Sequence, residues 1–297
     1  MRPTVVALIV TFNPNLPKLR DLLAALAGQV DGGIVVDNGS EHDPAAALGR
    51  GTLCISLREN VGIAQAQNLA IHEARKQGCD YVILFDQDSL PPPGMISTLV
   101  AIAEQKRLAG ELVAAIGPAY IDQRLGKPSR FLRTHGWSSS LQTREVGETV
   151  VVDHLIASGC LIPMQALDRV GGMRAELFID YVDTEWSLRA EHQHGLLSYG
   201  TFTTTLDHEL GDRPIEAFGQ RYAIHPPLRH YYLFRNSVWL WRQPWLPIRW
   251  KVARGPKLLL RLGFVAVFGK PPFSQWRMIA QGLRDGFVGK MGKYEDR

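Results

Sequence analysis

Apolar residues fall first into short continuous runs and, between those runs, at helical spacing. Val5-Val6-Ala7-Leu8-Ile9-Val10-Thr11-Phe12 is a run of the kind found in strands covered on both faces. Asn13-Pro14-Asn15 turns the chain, Pro17 suits a first helical turn, and Leu19, Leu22, Leu23 and Leu26 recur at i, i+3, i+4 and i+7, predicting a helix packed on a sheet. Gly32-Gly33 releases Ile34-Val35-Val36, which ends at Asp37-Asn38-Gly39-Ser40, where Asn-Gly demands a turn. Asp43-Pro44 caps a short helix that stops near Gly49, residues 53–57 predict another strand, and Asn60-Val61-Gly62 opens a helix closed by Gly78. Tyr81-Val82-Ile83-Leu84-Phe85 is too short for a helix and reads as a buried strand that runs straight into Asp86-Gln87-Asp88. This alternation predicts a parallel α/β sheet whose strand ends gather Thr11, Asn13, Asp37, Asn60, Asp86 and Asp88 along one edge.

Further on, residues 94–109 predict a helix and residues 112–121 a strand broken by Gly117-Pro118. Residues 122–148 are polar and without clear periodicity, which suits a mobile loop near a site better than a core element. Strand character resumes at residues 150–152 and 155–162. A short apolar approach through Phe178 and Ile179 then opens into a helix with Asp183 as its N-cap, and two short strands after Gly195 end at Asp207-His208-Glu209. From Pro226 the pattern is helical and rich in Trp, Tyr and Arg. The expected organisation is a domain of residues 1–225 followed by a helical, basic and aromatic segment, residues 226–297.

Composition narrows the setting. With 297 residues and 45% hydrophobic content the chain can bury a sizeable core. The net charge of +4 is unevenly spread, and residues after about 213 are Arg/Lys-rich, a bias suited to phosphates or an anionic membrane face. Because these basic residues do not concentrate on one readable helix or sheet motif, nucleic-acid binding is not expected. Cys54, Cys79 and Cys160 are far apart and flanked by apolar runs, so neither a disulfide framework nor a zinc site is indicated, and a reducing, cytoplasmic setting is expected. No apolar run approaches the length of a membrane span. Aromatic residues interleaved with Arg and Lys from Trp239 to Trp276 suit helices lying at the cytoplasmic face of the inner membrane, or else core packing.

The chemistry centres on Asp86 and Asp88. Two oxygen donors at a strand's C-terminal edge, with no Cys or His beside them in sequence, suit Mg²⁺ or Mn²⁺, and an ion held there could clamp a diphosphate. The alternative is that both are turn and cap residues of the loop Ser89-Leu90-Pro91-Pro92-Pro93. Two other functions remain open at this point. Phe85-Asp86-Gln87-Asp88-Ser89 resembles the nucleophile strand of haloacid-dehalogenase-type phosphatases, in which Asp86 would be phosphorylated, although that motif normally lies near the start of its domain. A non-catalytic nucleotide-binding protein could share the same fold.

Val10-Thr11-Phe12-Asn13, Val36-Asp37-Asn38-Gly39-Ser40, Asn60-Val61-Gly62-Ile63-Ala64 with Asn68, Phe85-Asp86-Gln87-Asp88, Ser158-Gly159-Cys160 and residues 180–189 together resemble the ordered motif set of glycosyltransferase family 2. More narrowly the chain is similar to bacterial rhamnosyltransferases of that family, in which a segment like Arg229-His230-Tyr231-Tyr232-Leu233-Phe234-Arg235-Asn236 follows. The resemblance implies a GT-A fold, a Rossmann-like and mostly parallel sheet, here with a C-terminal helical extension. It implies an inverting, metal-dependent transfer of a hexose, with L-rhamnose from dTDP-rhamnose as donor and a surface polysaccharide or lipid-linked oligosaccharide as acceptor.

By the same resemblance Thr11, Phe12 and Asn13 border the nucleotide, Asp37 accepts from the pyrimidine imide, and Asn60 and Gly62 line base and ribose, Gly62 by allowing close backbone approach. Asp86, with Gln87 beside it, and Asp88 hold ribose and metal, His208 completes the metal or diphosphate site, and Arg229 and Arg235 are phosphate donors unless they snorkel from an amphipathic helix. Asp183 falls where the family's catalytic base lies. Val182 replaces the usual preceding Glu, so the choice between Asp183 and Asp180 stays open, with Asp180 or Glu185 orienting the acceptor.

Overall fold

The computed structural model describes residues 2–295 except 50, 123–126, 129, 143–146, 209–213, 218–219, 224 and 269–270. The first half alternates as the periodicity predicts: β1 (Val5–Thr11), α1 (Leu16–Leu26), β2 (Gly32–Asp37), a 3-10 turn at Pro44–Ala47, β3 (Thr52–Ser56), α2 (Ile63–Lys76), β4 (Tyr81–Asp86) and α3 (Met95–Leu108). Alternate residues of β1 point to opposite faces. Val6 and Leu8 enter one core with the Ala-rich face of α2, while Val5, Ala7 and Ile9 enter the other with Leu19, Leu22 and Leu26 of α1 and Met95 and Leu99 of α3. Fully burying each Leu, Val or Ile contributes about 1.5–3 kcal/mol, so a two-sided sheet is what the continuous apolar runs favour.

Beyond α3 the chain departs from the simple pattern. β5 (Val113–Asp122) is one continuous strand despite Gly117-Pro118, and parallel pairing to a later strand absorbs the irregularity as register shifts. After it come β6 (Lys127–Pro128), β7 (Phe131–His135), β8 (Ser138–Gln142), β9 (Thr149–Val152) and β10 (Cys160–Pro163). The segment read as a loop thus contains the hairpin of β7 and β8, held by backbone pairing that its polar side chains do not advertise. The run at residues 155–162 is strand only from Cys160.

α4 (Met164–Val170), a 3-10 turn at Ala175–Leu177 and α5 (Val182–His194) follow. The two short strands expected after Gly195 are one twelve-residue strand, β11 (Leu197–His208). Then come β12 (Pro214–Ala217), β13 (Gln220–Ala223), α6 (Pro227–Trp241), α7 (Ile248–Phe268) and α8 (Pro272–Val288). The main sheet runs β3-β2-β1-β4-β10-β5-β11-β9, with β6 on β5. It is mixed rather than wholly parallel, since β10 and β9 are antiparallel to their neighbours.

Register aligns the polar strand ends. Thr11 pairs with Asp37 across β1 and β2, and Val10 pairs with Asp86 across β1 and β4, so Thr11, Asp37 and Asp86 stand side by side at the C-terminal edge. In an open α/β sheet that edge is where ligands bind. A cavity of about 540 Å³ under α1, lined by Leu23, Ala27 and Gly33 among others, lies at the opposite end of these strands and brings no chemistry together.

Candidate active site

Asp37 is buried, and its carboxylate accepts from the Thr11 hydroxyl at 2.9 Å, the Ser40 backbone N–H at 3.0 Å and the Ser40 hydroxyl. Ser40 in turn accepts from the Asn13 backbone N–H at 2.7 Å, and Asn13 Oδ1 accepts from the Glu41 N–H at 2.9 Å. The Asp-Asn-Gly turn is therefore tied to the end of β1. Gly39, at φ 80°, lies so close to the Glu59 backbone that a Cβ would stand 2.6 Å from it. That contact brings in Asn60. Asn38 Nδ2 donates to Asn60 Oδ1 at 3.1 Å, Asn38 Oδ1 accepts from the Val61 N–H at 2.9 Å, and Asn60 Oδ1 also accepts from the Gly62 N–H at 2.9 Å.

At φ 87° Gly62 precedes the first turn of α2, and a Cβ there would meet Phe178 at 2.6 Å, so the missing side chain admits Phe178. The Gln87 amide is spent locally, accepting from the Phe12 N–H at 2.8 Å and lacing the ends of β1 and β4 together, while the Phe12 ring is exposed.

The turn before α5 is held in an unusual conformation. Phe178, Asp180 and Tyr181 have φ of 65°, 63° and 64°, a region that non-glycine residues occupy at a cost of order 1–3 kcal/mol each and only when the surroundings over-determine them. Tyr181, in the left-handed region, is the helix N-cap. Asp183 is therefore not the cap. It is the second residue of the helix, and its Oδ1 accepts from the Thr184 N–H at 2.7 Å, leaving the other oxygen without a donor among the described residues.

Burial pushes the Asp183 carboxyl above the usual carboxylate range and Asp86 and Asp180 add like charge, while His154 and the Thr184 N–H act the other way. His154 faces this group, and burial holds its imidazole below the ordinary histidine range. Its Nδ1 is buried and has no hydrogen-bond partner among the described residues. A strand-end acid, Asp86, and the His154 imidazole thus both lie within electrostatic range of an acid raised by burial, the kind of arrangement found at catalytic sites.

Other expected residues divide. Asp180 pairs with Arg229 at 3.3 Å on the same side as Asp183. Arg235 does not serve as a phosphate donor: it is fully buried, and its guanidinium donates to the carbonyls of Glu176 and Leu177 at 3.1 and 2.9 Å, to that of Gly292, and to Asn236 Oδ1. Glu185 cannot orient an acceptor either, because it is 0% exposed and paired with Arg189 at 2.8 Å and Arg174 at 3.1 Å. The His208 side chain lies outside the described residues. Cys54, Cys79 and Cys160 are free thiols. Sequence reasoning overlooked His154, whose signal was a polar pair, Asp153-His154, interrupting two apolar runs, and it overlooked Asn38 and Asn236 as organisers of backbone.

Asp86 is half-buried and Asp88 exposed, and the described residues contain no group of three or more His, Cys, Asp or Glu side chains able to hold a metal by themselves. Two carboxylates at a strand end fit an ion that takes its other oxygens from a bound diphosphate and water, the usual manner of Mg²⁺, rather than a closed protein cage.

The mixed α/β sheet with an acidic strand end is that of a GT-A fold. Solved structures agree: the chain aligns with S. aureus TarS 1–349 in complex with UDP-GlcNAc at a TM-score of 0.62 and 14% identity, covering 95% of this chain and 80% of that one. It aligns with GalNAc-T7 bound to UDP, GalNAc and Mn²⁺ at 0.60 and 12%, covering 97% of this chain and 56% of that one. The model of glycosyl transferase family 2 matches residues 6–171, and the chain belongs to that family. It is 33% identical over 254 residues to the dTDP-rhamnosyl transferase RfbF of Shigella flexneri, spanning 84% of this chain and 83% of the relative. It is 30% identical over 309 residues to the galactofuranosyltransferase GlfT1 of Mycobacterium tuberculosis, spanning 91% and 99%. The protein is a glycosyltransferase, so the phosphatase and non-catalytic readings of Asp86 fall away.

Proposed function

We propose that this enzyme transfers L-rhamnose from dTDP-rhamnose, with inversion, to a hydroxyl of a surface polysaccharide or lipid-linked oligosaccharide. The observation that carries the reading is that Asp183, at the start of α5, lies within electrostatic range of Asp86 at the strand-end edge. In this reading Asp86 lies beside the leaving diphosphate, and Asp183, one of whose oxygens has no donor among the described residues, takes the proton. Asp37 and Thr11 receive the pyrimidine and Asn60 borders the ribose. Asp86 and Asp88 would hold Mg²⁺ or Mn²⁺, which would supply positive charge to a departing diphosphate.

Asp183 accepts the proton of the acceptor hydroxyl as its oxygen bonds to the anomeric carbon, and the carbon–oxygen bond to dTDP breaks on the opposite face, dTDP leaving with the electron pair. The similarity to a dTDP-rhamnosyl transferase supports the donor. Asp180, paired with Arg229, orients the acceptor.

Residues 226–297 act as a peripheral membrane segment. No helix among the described residues is long and apolar enough to cross a membrane. The outward face of α8 nevertheless exposes Phe273 (80%), Trp276 and Phe287 beside Arg277 and Arg284, a mixture suited to an anionic interface. Calorimetric titration with dTDP-, UDP- and GDP-sugars, with and without Mn²⁺, tests the donor: dTDP-rhamnose should bind most tightly and need the ion. Tighter binding of a UDP- or GDP-sugar would replace the donor, and binding indifferent to metal would remove the ion.

A further inference from the structure

Phe178 joins two parts of the chain that are far apart in sequence. Its carbonyl accepts from the N–H of Ile63, the first residue of α2, at 2.8 Å, and its side chain, carbonyl and Cα all crowd the place where a Gly62 Cβ would stand. Gly62 is tied in turn to Asn60, whose Oδ1 accepts from the Gly62 N–H. On its other flank Phe178 is the first of the three positive-φ residues, Phe178, Asp180 and Tyr181, that lead into α5 and Asp183. One residue therefore touches the helix start beside Asn60 and also opens the strained turn from which Asp183 emerges.

Both flanks are held from the far end of the chain. The Phe178 ring stacks on Tyr232 of α6, with centroids 4.9 Å apart and planes 12° from parallel. The Tyr232 hydroxyl accepts from the Tyr294 N–H at 2.7 Å, and the Gly292 N–H donates to the carbonyl of Glu176, in the 3-10 turn that Phe178 ends, at 2.8 Å. Between them Lys293 pairs with Glu59 at 2.7 Å. Three consecutive residues thus reach the ring that Phe178 stacks on, the turn it ends, and the loop that carries Asn60. Gly292, at φ 94°, bends the chain so that its neighbours can make these contacts.

We propose that Phe178 is a positioning residue that couples the donor edge to the base: a nucleotide bound at Asn60 steadies Phe178, and Phe178 steadies the turn that aims Asp183. This coupling rests on the reading that Asn60 borders the donor and Asp183 takes the acceptor proton. Three residues at positive φ make the turn the costly part of the site, so it opens more readily than the strand ends nearby. Donor binding opposes that opening through the contacts of Phe178 with Gly62 and Ile63. Residues 292–294 set the resting separation of the two flanks.

Hydrogen exchange of the full chain, free and saturated with dTDP-rhamnose and Mn²⁺, reads the coupling. In the parent, donor should slow exchange at residues 37–40 and 60–62, and by about tenfold at residues 178–184 as well. In Phe178→Leu the slowing at 37–40 should persist with donor affinity retained, whereas the slowing at 178–184 should vanish. Transfer to a membrane fraction carrying acceptor should then show kcat lowered by about tenfold and the KM for donor little changed. Lys293→Glu, at an exposed ion pair of little weight in folding, should weaken the slowing at 178–184 in the same direction and replaces Phe178→Leu if that variant does not fold. Donor that slows exchange at 37–40 but not at 178–184 in the parent would overturn the coupling while leaving the donor reading intact. Slowing at 178–184 that survives in Phe178→Leu would overturn Phe178 as the link, and parental kcat in that variant would confine it to a structural role. No slowing at any of these residues would overturn the donor reading and the coupling together.

Discussion

The side-chain amide of Asn236 donates to the backbone carbonyl of Asp180 at 2.9 Å, so a residue on α6 holds the turn from which α5 and Asp183 spring. The same amide reaches the carbonyls of Leu177 and Ile179 at 2.9 and 2.8 Å, and Arg235 beside it holds those of Glu176 and Leu177. The C-terminal helices thus over-determine a conformation that the local sequence would not adopt on its own.

Replacing Asn236 with Ala should leave these buried carbonyls without donors and release Asp180 and Tyr181 from positive φ. Stability should fall by about 1–3 kcal/mol, and kcat should fall while donor affinity is retained, because Asn236 touches the turn and not the nucleotide edge. Denaturant titration and steady-state kinetics check this. Parental kcat in a destabilised but folded variant would limit Asn236 to a structural role.

Glu185 sits two residues from Asp183 and is not part of the chemistry. Glu185→Ala should strand buried Arg189 without its partner and destabilise the chain by about 3–5 kcal/mol, whereas an exposed acid would cost little. Chemical denaturation at neutral pH measures the difference. A stable Glu185→Ala variant that binds donor but has lost acceptor use would return Glu185 to the site.

For Asp88, exposed at the end of β4, substitution by Ala should leave the melting temperature close to the parent's and remove the Mn²⁺ dependence of dTDP-rhamnose binding. Calorimetry with and without Mn²⁺ reads this directly. Unaltered metal-dependent binding would assign the ion to other ligands.

Much of this was legible in the chain because the first four strands and three helices obey simple periodicity, and because strand register carries Thr11, Asp37 and Asp86 to one edge wherever those runs pair in parallel. What was illegible depended on contacts distant in sequence. Gly62 leaves room for Phe178, more than a hundred residues later. Asp183 matched the composition of an N-cap, but the left-handed turn at Tyr181 moved the cap back two positions. Arg235 and Arg229 are indistinguishable as residue types, and only packing separates the buried one that braces carbonyls from the half-exposed one that meets Asp180. The strand at residues 113–122 survived Gly117-Pro118 because its partner strand shifts register to accommodate it, which no local signal reports.

Asp183 also makes a pH prediction. Burial raises its pKa in the folded chain, so its contribution to stability is fully present below the unfolded value, about 3.9, and is lost as pH rises through the folded value. Asp183→Asn, neutral at every pH, should therefore gain melting temperature relative to the parent more at pH 8 than at pH 4. The acid limb of the parent's kcat/KM profile should lie above the ordinary aspartate range, with His154, Asp86 and Asp180 the titratable groups within electrostatic range of it. An acid limb at the ordinary aspartate value would separate Asp183 from the titrating base.

The most direct measurement is the rate at which Asp183→Asn, beside Asp180→Asn, moves labelled rhamnose from dTDP-rhamnose into a membrane fraction carrying acceptor. An amide keeps the shape and the contact with the Thr184 N–H but cannot take a proton. The transfer rate of Asp183→Asn should therefore fall by about a hundred- to ten-thousand-fold, with donor affinity unchanged and the melting temperature no lower than the parent's at pH 8. Asp180→Asn should retain a larger share of the rate. Near-parental transfer by Asp183→Asn, together with its loss in Asp180→Asn, would contradict the account and place the base at Asp180.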